Sequence, residues 1–255
     1  KLNALSRKIC MEHPAPETAM QWLEQVRSAI LYYGLFVSVL GHFLGALGYS
    51  LLFGCGATDM VMSGLCGILG GLLNRFMDKM KVNPFFETIF SAFSMALLAY
   101  WLNTHGLVQN VNSVVIGALM ILVPGLLFTN AMRDIIYGDT NSGITRFVQV
   151  LLISMGMALG TAVAWNTSDL LWGMPHNLVE LSNPLLVTAI GSLIGCIGFS
   201  ILFNIHGPGG LLCALGGVVT WVGFVLIQRL GAGEIFAYFA GAFFASVYAE
   251  VMARI

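Results

Sequence analysis

The chain has 255 residues and a net charge of −1, with 9% charged residues against 58% hydrophobic ones. A water-soluble domain carries about 25% charged residues because its surface must face water, so these charges are too few to cover a soluble globule of this size. No Asp, Glu, Lys or Arg occurs in 28–58, 88–132, 147–168 or 181–228. A bilayer core needs about 20 apolar residues in a helix, and these stretches predict an all-α, polytopic membrane protein of about eight transmembrane helices. The spans are expected near 29–53, 58–77, 85–104, 112–128, 145–165, 185–204, 210–229 and 235–254.

Residues 1–28 form a polar, amphipathic lead-in segment. Leu2, Leu5 and Ile9 share a helical face, Pro14 and Pro16 break the chain, and Thr18 to Ser28 resumes a helix that runs toward the first span. Lys1 is not a start methionine, so more chain is expected before it, and no signal peptide is present. The first span carries His42, read as a helix-contact residue, and Gly41, Gly45 and Gly48, whose spacing suits close backbone packing. Asp59 follows Gly54 and Gly56 at the start of the second span. It reads either as a helix N-cap or as a proton site, because charges at membrane depth are expensive. Glu87, after Asn83 and Pro84, reads as a first-turn interfacial residue of the third span and is a further candidate for proton coupling.

The most informative segment runs from Pro124 to Arg146. Pro124 lacks an N–H and clashes with the preceding turn, and Gly125 loosens the backbone beside it, so the fourth span is expected to kink or break here. Freed backbone groups at membrane depth must find partners, so such breaks line cavities or ligand sites. Asn130 and Asp134 share one face at i, i+4, and Thr129 and Arg133 an adjacent one. Pro124, Gly125, Thr129 and Asn130 are the candidate substrate-binding residues. Arg133 and Asp134 are read either as a charged interfacial pair or as an inner gate. Asp139 and Ser142 are expected to cap the fifth span. Glu250, near Arg254 at i+4, is a further acidic candidate for coupling or gating, with a surface ion pair as its plainer role.

Two stretches repeat. Gly45-Ala-Leu-Gly-Tyr-Ser-Leu-Leu-Phe53 matches Gly195-Cys-Ile-Gly-Phe-Ser-Ile-Leu-Phe203 at five of nine positions, at an offset of 150; composition alone gives about one identity in nine. Leu65 and Gly67 match Leu215 and Gly217 at the same offset. An odd number of spans separates the copies, so they enter the membrane from opposite sides, an inverted repeat of the transporter kind. The offset also aligns Ile255 with the end of the third span. Counterparts of spans four and five are thus expected beyond it or from a partner. With the N-terminus in the cytoplasm, ten of the eleven Lys and Arg residues fall inside and Arg229 alone falls outside, a strong positive-inside bias. Cys10, Cys55, Cys66, Cys196 and Cys213 lack zinc spacing and read as small packing residues.

The string from Pro124 to Arg146, PG-x-x-x-TNA-x-RD-x-x-x-GD-x-x-SG-x-x-R, resembles the signature of the bacterial threonine/serine exporter family. So does the Leu-Phe-Gly54-Cys-Gly-Ala-Thr-Asp59 turn, and 184–230 resembles the start of that family's second membrane domain. The resemblance implies proton-coupled export of threonine and serine across the bacterial inner membrane by two five-helix halves. Here 29–165 would be the first membrane domain with five helices and 184–255 the start of the second with three. On this resemblance the family's N-terminal cytoplasmic region and its last two helices are expected to lie outside this sequence. Relatives linked to dicarboxylate export leave small dicarboxylates as an alternative substrate class.

The expected function is secondary export of small amino acids, with threonine or serine, protons and membrane lipid as partners and homo-oligomerisation open. An intramembrane enzyme would need paired catalytic groups at one depth, and a non-transporting assembly subunit would not need a broken helix with polar residues. No cofactor, metal or nucleic acid is expected, and no enzymatic activity. The orientation is checked by single-cysteine labelling on a cysteine-free background with an impermeant reagent. The 166–183 loop is expected to label from outside intact cells and position 140 only after permeabilisation.

Overall fold

The computed structural model describes residues 2–28, 33–173 and 183–254; residues 29–32 of the expected first span and 174–182 of the expected outer loop lie outside them. The elements of the described residues are all helices, joined by short turns and without strands. The chain divides into two compact units, Lys1–Gly34 and Leu35–Ile255. In the first, α1 (Leu2–Glu12) and α2 (Pro16–Ser28) meet across the break at Pro14 and Pro16, with Leu5 buried and Lys8 Nζ over the Trp22 ring at 3.9 Å.

The second unit is a polytopic membrane bundle: α3 (Leu35–Leu52), α4 (Ala57–Lys79), α5 (Pro84–Thr104), α6 (Val111–Leu119) with a 3-10 turn at Met120–Leu122, α7 (Gly125–Ile136), α8 (Thr140–Trp172), α9 (Leu185–Leu202), α10 (Pro208–Arg229) and α11 (Glu234–Arg254). Seven of these helices are long and apolar enough to cross a membrane, and α6 with α7 makes an eighth if the bent pair is one span. The fourth span differs most from its expected 112–128: it runs to Ile136, bent by 51° at Val123–Pro124. The fifth also outruns its expected 145–165: Asn166 and Thr167 bond back to the Ala162 and Val163 carbonyls and α8 stops at Gly173.

Local signals set the helix ends. Asn83 accepts from the Phe85 amide ahead of Pro84, which has no N–H to satisfy at the first position. Asp139 accepts from the Ser142 amide and caps α8 as expected, at 3.4 Å. The buried centre joins α4, α5 and α6 through Cys66, Met95, Ala99, Tyr100, Val111, Val114 and Ala118. Polar ties cross it: the Ser63 hydroxyl lies 3.2 Å from the Ala46 carbonyl and 3.1 Å from that of Val114, linking three helices.

The tightest contact joins α3 to α9. A Cβ on Gly48 would lie 2.2 Å from the Gly195 amide nitrogen and 2.5 Å from the Gly191 carbonyl oxygen, and one on Gly198 would lie 2.3 Å from the Gly45 amide nitrogen. Gly41 meets Gly198 and Ile201, so the two helices run antiparallel with their glycine stripes face to face. Tyr49 and Phe199 stack edge-on beside the seam, 5.2 Å between ring centroids. These are the two stretches that match in sequence, and the match extends to structure. The pairs α3 and α9, and α5 and α11, have equal lengths and start 150 residues apart (35 and 185, 84 and 234). Ser50 and Ser200 bond back to Leu47 and Ile197 at 2.8 Å each, and Gly54 and Asn204 both take left-handed φ after their helices. Gly67 packs on His42 and Ala46 as Gly217 packs on Ser192 and Cys196.

His42 makes the helix contact expected of it: its ring lies where a Cβ on Gly71 of α4 would fall, and its Nδ1 lies 2.8 Å from the Ser38 carbonyl oxygen. The cysteines depart in part from a packing role: Cys55 and Cys66 are buried and Cys196 half-buried, but Cys10 and Cys213 are exposed. Overpacking costs about 1–3 kcal/mol, so Gly48→Ala should lower stability by about that much. Gly34→Ala, whose methyl would meet nothing within 4 Å, should leave it unchanged. Thermal unfolding of both variants in one detergent checks this.

Candidate functional site

The break between α6 and α7 follows from Pro124. With no N–H it cannot continue the helix, and the Gly125 amide bonds to Val123 at 2.8 Å instead of reaching back a full turn. The restarted helix α7 begins at Gly125 with no side chain capping it, so its positive dipole end is unoccupied. A cleft of about 340 Å³ opens there, lined by Val123, Pro124, Gly125, Leu127 and Asn130 on one side and Phe199, Leu202 and Phe203 of α9 on the other. A Cβ on Gly125 would meet nothing within 4 Å.

The sequence candidates separate here. Pro124, Gly125 and Asn130 share the cleft, and the Asn130 side chain has no hydrogen-bond partner among the described residues. Thr129 does not line it; its hydroxyl donates to the Gly125 carbonyl at 3.0 Å. Arg133 and Asp134 do not pair with each other. Neighbours on a helix point roughly 100° apart. The Arg133 guanidinium lies over the Tyr137 ring, 5.9 Å from its centroid, while Asp134 Oδ2 sits 2.7 Å from Arg146 Nη1. That ion pair ties α7 to α8 one turn beyond Asn130. A close packing supports it: a Cβ on Gly143 of α8 would fall 2.9 Å from the Ala131 carbonyl oxygen of α7. Sequence reasoning missed Arg146 as the partner, although the turn at Gly138 that returns the chain was visible.

Asp59 is fully buried, yet it does not cap its own helix: Gly56 holds that position. Its Oδ1 accepts from the Gln109 amide and its Oδ2 from the Asn110 amide, both at 2.9 Å. Both carboxylate oxygens thus hold the backbone that enters α6, the helix leading to the break. Beside it, the Ser113 hydroxyl donates to the Phe53 carbonyl. Glu87 sits half-buried in the first turn of α5, away from the cleft. Glu250 is exposed and paired with Arg254 at 2.6 Å on α11.

A larger cavity of about 620 Å³ lies between α5, α6 and α8, lined by Tyr100, Ile116, Met120, Met157 and Trp165 among others. Its lining is apolar apart from hydroxyls and the indole, and carries no charged side chain. Among the described residues no three His, Cys, Asp or Glu side chains gather to hold a metal ion.

Comparison with known proteins gives two family matches and a distant relative. The family described as "Putative threonine/serine exporter" matches residues 1–168, and that described as "Threonine/Serine exporter, ThrE" matches residues 188–255. The "Threonine/serine exporter" of Corynebacterium glutamicum is 23% identical over 175 residues, covering 67% of this chain and 36% of its own length. The chain therefore spans about a third of that relative. No solved structure matches.

The Asp59 geometry makes a prediction of its own. An asparagine there turns one acceptor into a donor facing an amide N–H, and a buried unsatisfied donor costs about 1–3 kcal/mol. Asp59→Asn should therefore lower the unfolding midpoint of the ligand-free protein in detergent. An unchanged midpoint would remove the strap role.

Proposed function

Because this chain belongs to the threonine/serine exporter family, we propose that it moves threonine and serine out of the cell across the bacterial inner membrane, driven by the proton gradient. The observation that carries the reading is the cleft at the 51° break, where an uncapped helix start and the unpartnered Asn130 face the same space. A zwitterion needs a partner for each end. The free dipole end of α7 suits the carboxylate, and the Asn130 side-chain oxygen suits the ammonium or hydroxyl. Thr129 supports α7 from behind through its bond to Gly125.

In this reading the N-terminus lies in the cytoplasm, as the basic-residue bias favours, and the cleft opens toward the inside. Gating falls to the Asp134–Arg146 pair, with Arg133 over Tyr137 at its side. A proton on Asp134 removes the charge that Arg146 answers and frees α7 from α8, which links proton entry to movement of the broken helix. Asp59 serves this device indirectly by holding the entry to α6, while Glu87 and Glu250 lie apart from it. The matching stretches 45–53 and 195–203 supply the second element: antiparallel copies packed across a common seam form an inverted repeat that lets two groups of helices rock about a central site.

Purified protein in proteoliposomes tests this. Labelled threonine should exchange by counterflow, and Asn130→Ala should weaken threonine binding by roughly ten- to a hundred-fold, the worth of a buried hydrogen bond to a charged group at about 1.5–3 kcal/mol. Gly125→Leu should fill the cleft and stop transport while the protein stays folded. Asp134→Asn should abolish gradient-driven export and retain exchange. Unchanged calorimetric affinity in Asn130→Ala and Gly125→Leu places the site elsewhere.

A further inference from the structure

A second cleft lies at the other end of the α3–α9 pair. It measures about 510 Å³ and is lined by Leu52, Phe53 and Gly54 of α3 and its turn, Asn183 and Thr188 around the start of α9, and Trp221, Gln228 and Arg229 of α10. Its walls are polar where those of the 620 Å³ cavity are not. The Trp221 indole N–H donates to the Thr188 hydroxyl at 2.8 Å, and the Asn183 amide donates to the carbonyls of Leu51 and Cys55 at 2.9 and 3.1 Å. These bonds fix the rim. The Gln228 and Arg229 side chains have no hydrogen-bond or ion-pair partner among the described residues, and no acidic side chain among those residues lines the cleft.

The position of this cleft follows from the repeat. Leu202 and Phe203 wall the cleft at Pro124. Their matches at the same offset, Leu52 and Phe53, wall this one. The antiparallel seam puts the end of α3 at the opposite end of the pair from the end of α9, so the two clefts sit at opposite ends of one element. A guanidinium with an unused fork of donors, exposed at the cleft beside a carboxamide, recognises a carboxylate.

We infer that this cleft is a second binding site for the carboxylate group of a small solute, held by Arg229 and Gln228. Its place as the outer vestibule of export rests on the function proposed above; the binding itself does not.

Trp221 lies in the cleft wall and reports on it by fluorescence, with Trp221→Phe identifying its share of the signal of the five tryptophans. Purified full-length chain in detergent is titrated with L-threonine, with succinate and with L-threoninol, which lacks the carboxylate. The Trp221 signal should saturate with one or both carboxylates and not with threoninol; the threonine and succinate arms separate an amino acid from a dicarboxylate ligand. Arg229→Gln should weaken the response at least tenfold, with Arg229→Lys between. Asn130→Ala should leave it unchanged. Equal affinity in Arg229→Gln, or threoninol binding as well as threonine, overturns the inference. So does an equal loss in Glu180→Gln, which would make Arg229 the ion-pair partner of that residue of the 174–182 segment. Counterflow is read on the same preparations. Absent wild-type counterflow with an Arg229-dependent Trp221 response refutes the exporter reading alone, and normal counterflow with no Arg229 dependence refutes this one alone.

Discussion

The structure depends on a place where no side chain fits. Between α3 and α9 the backbones approach so closely that a single methyl on Gly48 or Gly198 would collide with main-chain atoms. In lipid no hydrophobic effect drives helices together, because tails are as apolar as leucine; association comes from packing and short-range bonds. Glycine is the residue that permits this approach. The seam brings α9 to the first group of helices, and with it the aromatic wall that closes the cleft at Pro124. Had α3 and α9 been spaced by ordinary side chains, Phe199 and Leu202 would stand away from Asn130.

A second constraint acts where backbone groups leave helices at membrane depth. Several such groups have a side-chain partner on another segment. Asp59 receives two amides from the turn before α6, Ser113 reaches the Phe53 carbonyl, and Asn183 bonds the two carbonyls that end α3. These side chains belong to helices different from the backbone they serve, so they fix the helices relative to one another as they satisfy the polar groups. At the break at Val123–Pro124 no side chain caps the restarted helix, and a cleft opens there.

How much of this was legible depended on range. The uncharged runs marked the helices, and Pro124 with Gly125 marked the break, because these are local effects of composition and of a missing N–H. The bend of α7, and thus which of Thr129 and Asn130 meets the cleft, was not legible: both are polar and adjacent, and the choice depends on the direction taken after Pro124. Asp59 read as a cap or a proton site because its partners lie 50 residues on, in a turn with no charge to flag them. Arg133 looked like the partner of Asp134 through adjacency, although helix geometry points neighbours apart and the returning α8 offered Arg146. The repeat announced that 45–53 and 195–203 were alike. It did not announce that they touch, which depends on two glycine stripes facing each other.

The length of α8 carries a consequence for depth. Its 33 residues span roughly 50 Å at 1.5 Å per residue, well beyond a hydrocarbon core of about 30 Å. Arg146 near its start and Trp165 further along are separated by roughly 28 Å of helix, the thickness of that core, and both residue types favour the boundary with water. The bilayer thus meets α8 between these two marks, and the turns from Asn166 to Trp172 rise clear of it. Arg146 then lies at one waterline, and so does the Asp134 carboxylate bound to it. Asn130 is held one helical turn below that surface, shallow enough for a solute to reach from the same side and deep enough that water alone cannot satisfy it.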